Sequence, residues 1–386
     1  MRVLFSSTAG YGHVFPMVPL ARAVQDAGHA VCWATGPGSC PLVEAAGISA
    51  VPAGQDSAAL AEGSQQVLAA AAGLPPHRLA GFVFPRMFGG LRAPAMLADL
   101  LPVAEAWQPD LIVHEQAELA GPVVAAVLGI PGVTHAFGGG VPADFVRDAG
   151  EQVAALWEEH HLPLPPFAGC YEHLYLDICP SSVQTVSLAH IGPGQPLRPV
   201  PYTGPEPEHL PVGVDRDDGR PLVYLTLGTV HDQTSVLQMA LAALPPRSYR
   251  LLVTVGPHGD PTALGPQPTN VTVERFVSQT AVLPRCAAVV SHGGSGTFLA
   301  ALGLGFPQVL LPQAADQFRN AEACSRRGAG VALGPADATA DAVAAAVELV
   351  LSDPRYRTAA RVVRDEITRM PNPEAVVTPL TALAGR

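Results

Sequence analysis

The chain has 386 residues, 48% of them apolar and only 14% charged, which is enough to bury a large core and too apolar for a disordered protein. Its formal net charge is −11, from 22 basic and 33 acidic residues, and the basic ones are scattered, so nucleic acid and anionic membranes are poor partners. All 22 basic residues are Arg, which excludes a Walker-type phosphate loop, a pyridoxal phosphate Schiff base, a lysine nucleophile and a biotinyl or lipoyl site.

The chain opens as strand, turn, helix, strand. Arg2 to Ser6 is a short β-rich run, Thr8 to Gly12 reads as a turn, and Pro16 suits a first helical turn, where its missing N–H costs little. Met17, Leu20, Ala21 and Val24 then repeat at helical spacing until Gly28, and Ala30 to Ala34 is the next strand. The opening apolar run meets Ser6 and Ser7 too soon for a secretory leader, and no run approaches about eighteen apolar residues, so a cytoplasmic protein without a membrane span is expected.

Leu111 to Val113 is a further strand, Leu119 to Leu128 a helix and Gly132 to His135 a strand, continuing a parallel α/β pattern. Residues 55 to 100 and 140 to 175 are Ala-rich helical stretches broken at Phe82–Pro85 and Leu162–Pro166, and they read as insertions near a site. Between Pro199 and Pro221 lie six Pro and acidic steps such as Glu206-Pro207-Glu208, a composition expected of a linker. The expected division is 1–204, a linker at 205–220, a second domain at 221–371 and a closing helix at 372–386. Beyond the linker the alternation restarts, with strands at 222–227, 250–255, 287–291, 309–311 and 330–333 and helices at 236–244, 297–304, 320–327 and 341–351. Two doubly wound parallel sheets are expected, with ligands at the carboxyl ends of their strands around a common crevice.

Chemistry concentrates at those strand ends. Ser291-His292-Gly293-Gly294-Ser295-Gly296-Thr297 follows a strand and opens a helix, so its glycines admit a ligand to the backbone and the free N–H groups of the helix start suit a phosphate without lysine. Neither G-x-G-x-x-G nor G-x-S-x-G is met, which argues against hydride transfer and serine hydrolysis. Asp316 and Gln317 end another strand, where they serve equally as ligands for a polyol or as a helix cap. His13, after the first strand, is placed to take a proton at neutral pH, and Glu115, at the end of another strand, to hold its tautomer; taken alone, one histidine among thirteen is more often structural. Phe82, Phe84, Met87, Phe88 and Phe137 are candidate walls of an apolar pocket or plain core. The literal D-x-D at Asp215-Arg216-Asp217 sits in the linker and reads as a solvated turn. The six cysteines form no C-x-x-C pair and the histidines show no metal-ligand spacing, so no metal is expected.

Taken in order, Gly12-His13, Pro109 to Glu115, Leu227-Gly228-Thr229, Glu274 to Gln279, His292 to Thr297 and Pro312 to Asn320 resemble the motifs of family 1 glycosyltransferases of the GT-B fold, in particular bacterial enzymes that glycosylate polyketides and other natural products with nucleotide-activated deoxysugars. The resemblance spans nearly the whole chain. It implies two facing Rossmann-like domains and an inverting, metal-independent transfer of a sugar from a nucleotide diphosphate donor, a dTDP-sugar, to a hydrophobic aglycone, with no further cofactor. It implies that His13 is the general base with Glu115 supporting it. The pyrophosphate would lie on Thr229, His292, Gly294, Ser295, Gly296 and Thr297, the base on Phe276, Val277 and Gln279, and the sugar hydroxyls on Asp316 and Gln317. Glu115 stands where many relatives carry Asp, and Phe276 where many carry Trp. A nucleotide-sugar epimerase or hydrolase and a non-catalytic auxiliary protein of the same fold are the competing readings, and a homodimer is compatible with the sequence.

Overall fold

The computed structural model describes all residues except 57, 206–209, 212, 216–217, 229–233, 244–247, 258 and 386. The chain forms two compact units, one of Met1–Cys179, Val186–Arg198 and Pro371–Arg386, the other of Pro180–Thr185 and Pro199–Met370.

The first unit is built on strands β1 (Arg2–Ser6), β2 (Ala30–Thr35), β3 (Ser49–Pro52), β4 (Leu111–Glu115), β5 (Gly132–His135), β6 (Leu174–Asp177) and β7 (Gly194–Pro196). All pair in parallel in the order β3-β2-β1-β4-β5-β6-β7. β4 is buried along its whole length and β1 after its first residue, as expected for parallel strands covered on both faces. Phe5 and Trp33 stack across β1 and β2 at 5.4 Å between ring centroids, and the indole N–H donates to Ser7 Oγ at 3.0 Å. Helix Pro373–Ala384 closes this unit by packing on helix Val18–Asp26, with Val376 and Leu380 wholly buried.

The second unit has strands β8 (Leu222–Thr226), β9 (Arg250–Thr254), β10 (Val271–Glu274), β11 (Cys286–Ser291), β12 (Gln308–Leu310) and β13 (Gly330–Ala332), parallel in the order β10-β9-β8-β11-β12-β13. Alternate residues feed two cores. Val223, Leu225, Leu251 and Val253 pack with Leu237 and Leu241 and with Val343 and Val347, while Tyr224, Leu252 and Val289 pack with Leu283, Ala300 and Ala301.

Several expectations differ from what forms. Helix begins at Tyr11, closed by the Val14 N–H on Gly10 O, so His13 sits in a short helix (Tyr11–Val14) and Pro16 in the 3₁₀ turn Phe15–Met17 that follows it. The expected break at Phe82–Pro85 is absent: the wide π turn Pro85–Arg92 joins helices Pro76–Phe84 and Ala93–Trp107, and Pro85 sits in its first turn. Short strands β3, β7 and β10 carry too little pattern to be read locally, whereas helix Pro354–Arg369, with its Asp353 cap and buried Ala360, Val363 and Ile367 at helical spacing, forms outside the expected elements although its signals are local. The segment expected to be a linker is held to the second unit where it is described, since Val214 joins that core and Arg250 donates to Gly213 O at 2.6 Å. Asp215 of the D-x-D pairs with Arg285 at 2.6 Å; Arg216 and Asp217 lie outside the described residues. No helix among the described residues is long and apolar enough to cross a membrane.

Removing a wholly buried leucine from the closing helix leaves a cavity, so Leu380→Ala is expected to destabilise the first unit by about 2–5 kcal/mol. All three Trp lie in that unit, so its loss reads as a lower denaturant midpoint by tryptophan fluorescence.

Candidate active site

In each sheet the chain leaves a central strand in one direction and later returns to that strand's other side: β1 is flanked by β2 and β4, and β8 by β9 and β11. The loops after β1, β4, β8 and β11 therefore splay apart at two switch points, where open α/β sheets bind ligands. His13 follows β1, Glu115 ends β4, Gly228 follows β8 and His292 follows β11.

At the first switch point Glu115 is wholly buried, and His13 Nδ1–H donates to its Oε1 at 2.9 Å. Thr8 Oγ1 donates to the same oxygen at 2.9 Å, and the Ala117 N–H to Oε2 at 2.7 Å. Burial pushes the carboxyl up most strongly, yet the His13 charge and ring N–H, the Ala117 amide and the Thr8 hydroxyl together outweigh it, and the pKa lies below the ordinary range. Glu115 is thus an anion, and in the neutral imidazole it holds the proton of His13 on Nδ1, the tautomer that has a lone pair on Nε2. The imidazole is 24% exposed, so this base is reachable from solvent. Two neighbouring histidines are not: His114 and His135 are buried, and burial pulls each down to about 4, leaving both neutral. Phe88 and Phe137 pack on the His13 ring at 5.6 and 5.2 Å between centroids, so two of the five candidate wall residues reach the base. Phe84 packs behind Phe88 at 5.0 Å, Phe82 lies under the Arg86 guanidinium, and Met87 Sδ accepts from Ser64 Oγ.

The sequence reading missed Glu118, the second carboxylate of this loop. It is 1% exposed and accepts from Ser6 Oγ at 2.6 Å, from the Ala120 N–H at 2.7 Å and from the Gly121 N–H at 3.0 Å. Its side chain thereby caps helix Gly121–Leu128 and ties the loop after β4 to the end of β1. Only glycine fits at 121, where a Cβ would lie 2.6 Å from His114 Cβ and 2.8 Å from Glu118 Oε2. The spacing Glu-x-x-Glu just before a helix was the available signal.

At the second switch point the turn after β11 leads into helix Ser295–Gly303, with Gly294 as its N-cap and no side-chain cap, so the first N–H groups of the helix are open to an anion. The His292 ring lies over the glycines: a Cβ at Gly228 would meet its Cε1 at 2.6 Å, and one at Gly294 would collide with Nε2. Ser295 Oγ donates to Asp316 Oδ2 at 2.6 Å, while Asn320 Nδ2 donates to Gly293 O at 2.9 Å and to Ser295 Oγ at 3.1 Å. Gln279 Nε2 donates to Thr297 Oγ1 at 3.1 Å. The structure thus joins Ser295 to Asp316 and Thr297 to Gln279, and Asn320 pins the turn from behind. The Asp316 side chain makes no cap bond, whereas Gln317 Oε1 accepts from the Gln313 and Ala314 N–H groups at 2.8 and 3.0 Å.

Phe276 is 42% exposed, as a stacking platform needs, but Val277 is buried among Tyr224, Leu252 and Leu283, so only its backbone can meet a ligand. Gly296 is exposed, and Thr229 lies outside the described residues. Among the described residues no three His, Cys, Asp or Glu side chains are grouped as metal ligands.

Residues 22–228 match the N-terminal domain, and residues 251–383 the C-terminal domain, described as erythromycin biosynthesis protein CIII-like. The chain is 35% identical over 391 residues to an L-demethylnoviosyl transferase of Streptomyces niveus, covering 99% of this chain and 98% of the relative. Among solved structures it is similar to the glycosyltransferase SnogD of Streptomyces nogalater, at 30% identity and a TM-score of 0.79 with complete coverage of both chains. It is also similar to the spinosyn rhamnosyltransferase SpnG, solved with thymidine diphosphate (27% identity, TM-score 0.80) and with spinosyn aglycone (28%, 0.79), each over 99% of this chain and 100% of that one.

Burial drives the Glu118 carboxyl up from 4.5 to about 7, against its hydrogen bonds from Ser6 and Ala120. A carboxyl raised in this way holds its proton more tightly in the native state, so the stability it contributes is full below 4.5 and is lost as pH rises through about 7. Between about pH 5 and about pH 8 the wild type is therefore expected to lose stability relative to Glu118→Gln, measured as the difference in unfolding free energy at each pH. A difference that stays constant, or grows with pH, refutes the assignment.

Proposed function

The chain belongs to the erythromycin CIII-like family of natural-product glycosyltransferases of the GT-B fold, and on that premise we propose that it transfers a deoxysugar from a dTDP-sugar to a hydroxyl of a hydrophobic aglycone. The observation that carries this reading is the bond between His13 and the buried Glu115: a solvent-reachable imidazole with its proton fixed on Nδ1 and an aromatic wall beside it. The thymidine diphosphate and aglycone held by SpnG support the two substrate classes.

In the proposed reaction His13 Nε2 takes the proton of the acceptor hydroxyl as its oxygen attacks the anomeric carbon. Glu115 stabilises the imidazolium that forms, and Phe88 and Phe137 hold apolar acceptor surface against the base. The bond from the anomeric carbon to the diphosphate oxygen breaks on the opposite face, so the configuration inverts. The leaving charge is received by the open N–H groups at the start of helix Ser295–Gly303 and by His292, with Gly294 and Gly296 allowing close approach. Ser295 reaches this charge only by releasing Asp316, and Thr297 only by sharing its bond with Gln279. Asp316 and Gln317 bind sugar hydroxyls, while Phe276, Gln279 and the Val277 backbone hold the base.

Purified protein titrated with dTDP by calorimetry, then incubated with a dTDP-sugar and an aglycone panel, tests the reading. dTDP binding and a mass gain of one sugar on an aglycone are expected; donor consumption without an acceptor would instead mark a hydrolase or epimerase. His13→Ala is expected to lower kcat roughly 10²–10⁴-fold while leaving the dTDP affinity as it was. Unchanged turnover would remove His13 as the base. Ser295→Ala with Thr297→Ala is expected to weaken dTDP binding in the same calorimeter, and wild-type affinity would discard the pyrophosphate assignment.

A further inference from the structure

β8 is buried along its whole length, yet two of its five residues, Tyr224 and Thr226, carry hydroxyls. Strand alternation turns both to the same face, so each needs a partner inside the unit or it costs stability. Thr254 supplies it: this residue pairs in register with Thr226 across β8 and β9 and is 4% exposed. Its hydroxyl donates to Thr226 Oγ1 at 2.9 Å and lies 3.0 Å from the Tyr224 hydroxyl. Each hydroxyl has one hydrogen. Thr254 spends its own on Thr226, so Tyr224 is the donor to Thr254, and burial raises the Tyr224 phenol pKa, so that hydrogen stays in place. The three hydroxyls therefore run in one direction, from Tyr224 through Thr254 to Thr226.

Both ends of this chain meet donor-site residues. At the Tyr224 end, Gln279 faces the phenol and donates to Thr297 Oγ1 at 3.1 Å. At the other end Thr226 Oγ1 also accepts the Gly228 N–H at 3.4 Å, which holds the turn of φ +88° under the His292 ring. The neighbouring strand repeats the device. Ser291 pairs in register with Thr226, is wholly buried, and its Oγ accepts the Gly293 N–H at 3.1 Å, where φ is +83°. The two glycine turns beside His292 are thus each held by the hydroxyl of a strand's last residue.

We propose that Tyr224, Thr254 and Thr226 are positioning residues for the donor diphosphate, their buried hydroxyls forming a relay that ties the Gly228 turn, and through it the His292 ring, to the Gln279 side of the nucleotide site. The inference rests on the dTDP-sugar reading and deepens it: the nucleoside and diphosphate ends are held by one hydrogen-bonded unit. The three residues act through Gly228 and His292 rather than by touching the donor. A change at buried Thr254, the middle of the chain, is therefore felt at the second phosphate.

The test measures calorimetric affinities for dTDP and dTMP, whose ratio reports the hold on the second phosphate. Thr226→Val and Thr254→Val keep the side-chain volume and remove the hydroxyl, whereas Thr254→Ser keeps the hydroxyl and removes the methyl. Wild type is expected to prefer dTDP, and each Val variant to lower that preference roughly three- to tenfold, the scale of one net hydrogen bond. The double Val variant is expected to lose no more than Thr226→Val alone, because the relay acts as a unit, and Thr254→Ser to match wild type. Tyr224→Phe is expected to shift the ratio in the same sense and stands in for a Val variant that does not fold. A role in packing alone reverses the order at 254, with Ser impaired and Val spared. That reversal, additive losses in the double variant, or no preference for dTDP in a wild type that binds both nucleotides overturns the proposal and leaves the donor reading standing. Binding of neither nucleotide by wild type removes the donor reading and the relay with it.

Discussion

The buried Glu115 carboxylate is the constraint on which the first unit depends. An anion withdrawn from water must be matched by donors held in place, and here they come from different elements: the Thr8 hydroxyl and the His13 ring after β1, and the Ala117 amide after β4. Meeting that need aligns two loops more than a hundred residues apart in sequence. The same bonds set the tautomer of His13, so one arrangement satisfies a buried charge and prepares a base.

The second unit reaches the same topology with different materials. Among the described residues it has no buried carboxylate at its switch point; the loop after β11 is shaped by glycines under the His292 ring and pinned by Asn320 to Gly293 O. Gly228 shows why glycine is required there, since its backbone has a φ of +88° and a Cβ would strike that ring. What results is backbone polarity at a helix start, a feature suited to a leaving diphosphate, whereas the first unit offers a side-chain base. The division of labour follows from what each switch point leaves unsatisfied.

Charge inside the first unit is graded by its partners. Glu115 stays ionised because one of its three donors is a histidine that can carry charge, while Glu118, three residues on, also has three donors but faces no cation and feels the Glu115 charge, and it titrates near neutrality. His114 and His135 are neutral for lack of water and make backbone bonds instead.

Much of this protein is determined by its sequence. The strand-and-helix alternation, the glycine-rich turn from Ser291 to Thr297, the position of His13 after a first strand and the absence of lysine are local properties, legible because periodicity and turn chemistry act over a few residues. The order of the strands, and hence the meeting of His13 with Glu115, is not local: it is decided when β4 pairs beside β1 in register, Ser6 against His114. The π turn at Pro85 depends on packing against helix Ala143–Glu159, and β3, β7 and β10 on a neighbouring strand to pair with, so no short window of sequence announces them. Engagement of Ser295 by Asp316, burial of Val277 and the capping role of Glu118 likewise arise only when separate loops converge. Short-range chemistry is written in the residues; which groups end up buried together is decided by the fold, because desolvation and hydrogen bonding act between neighbours in space.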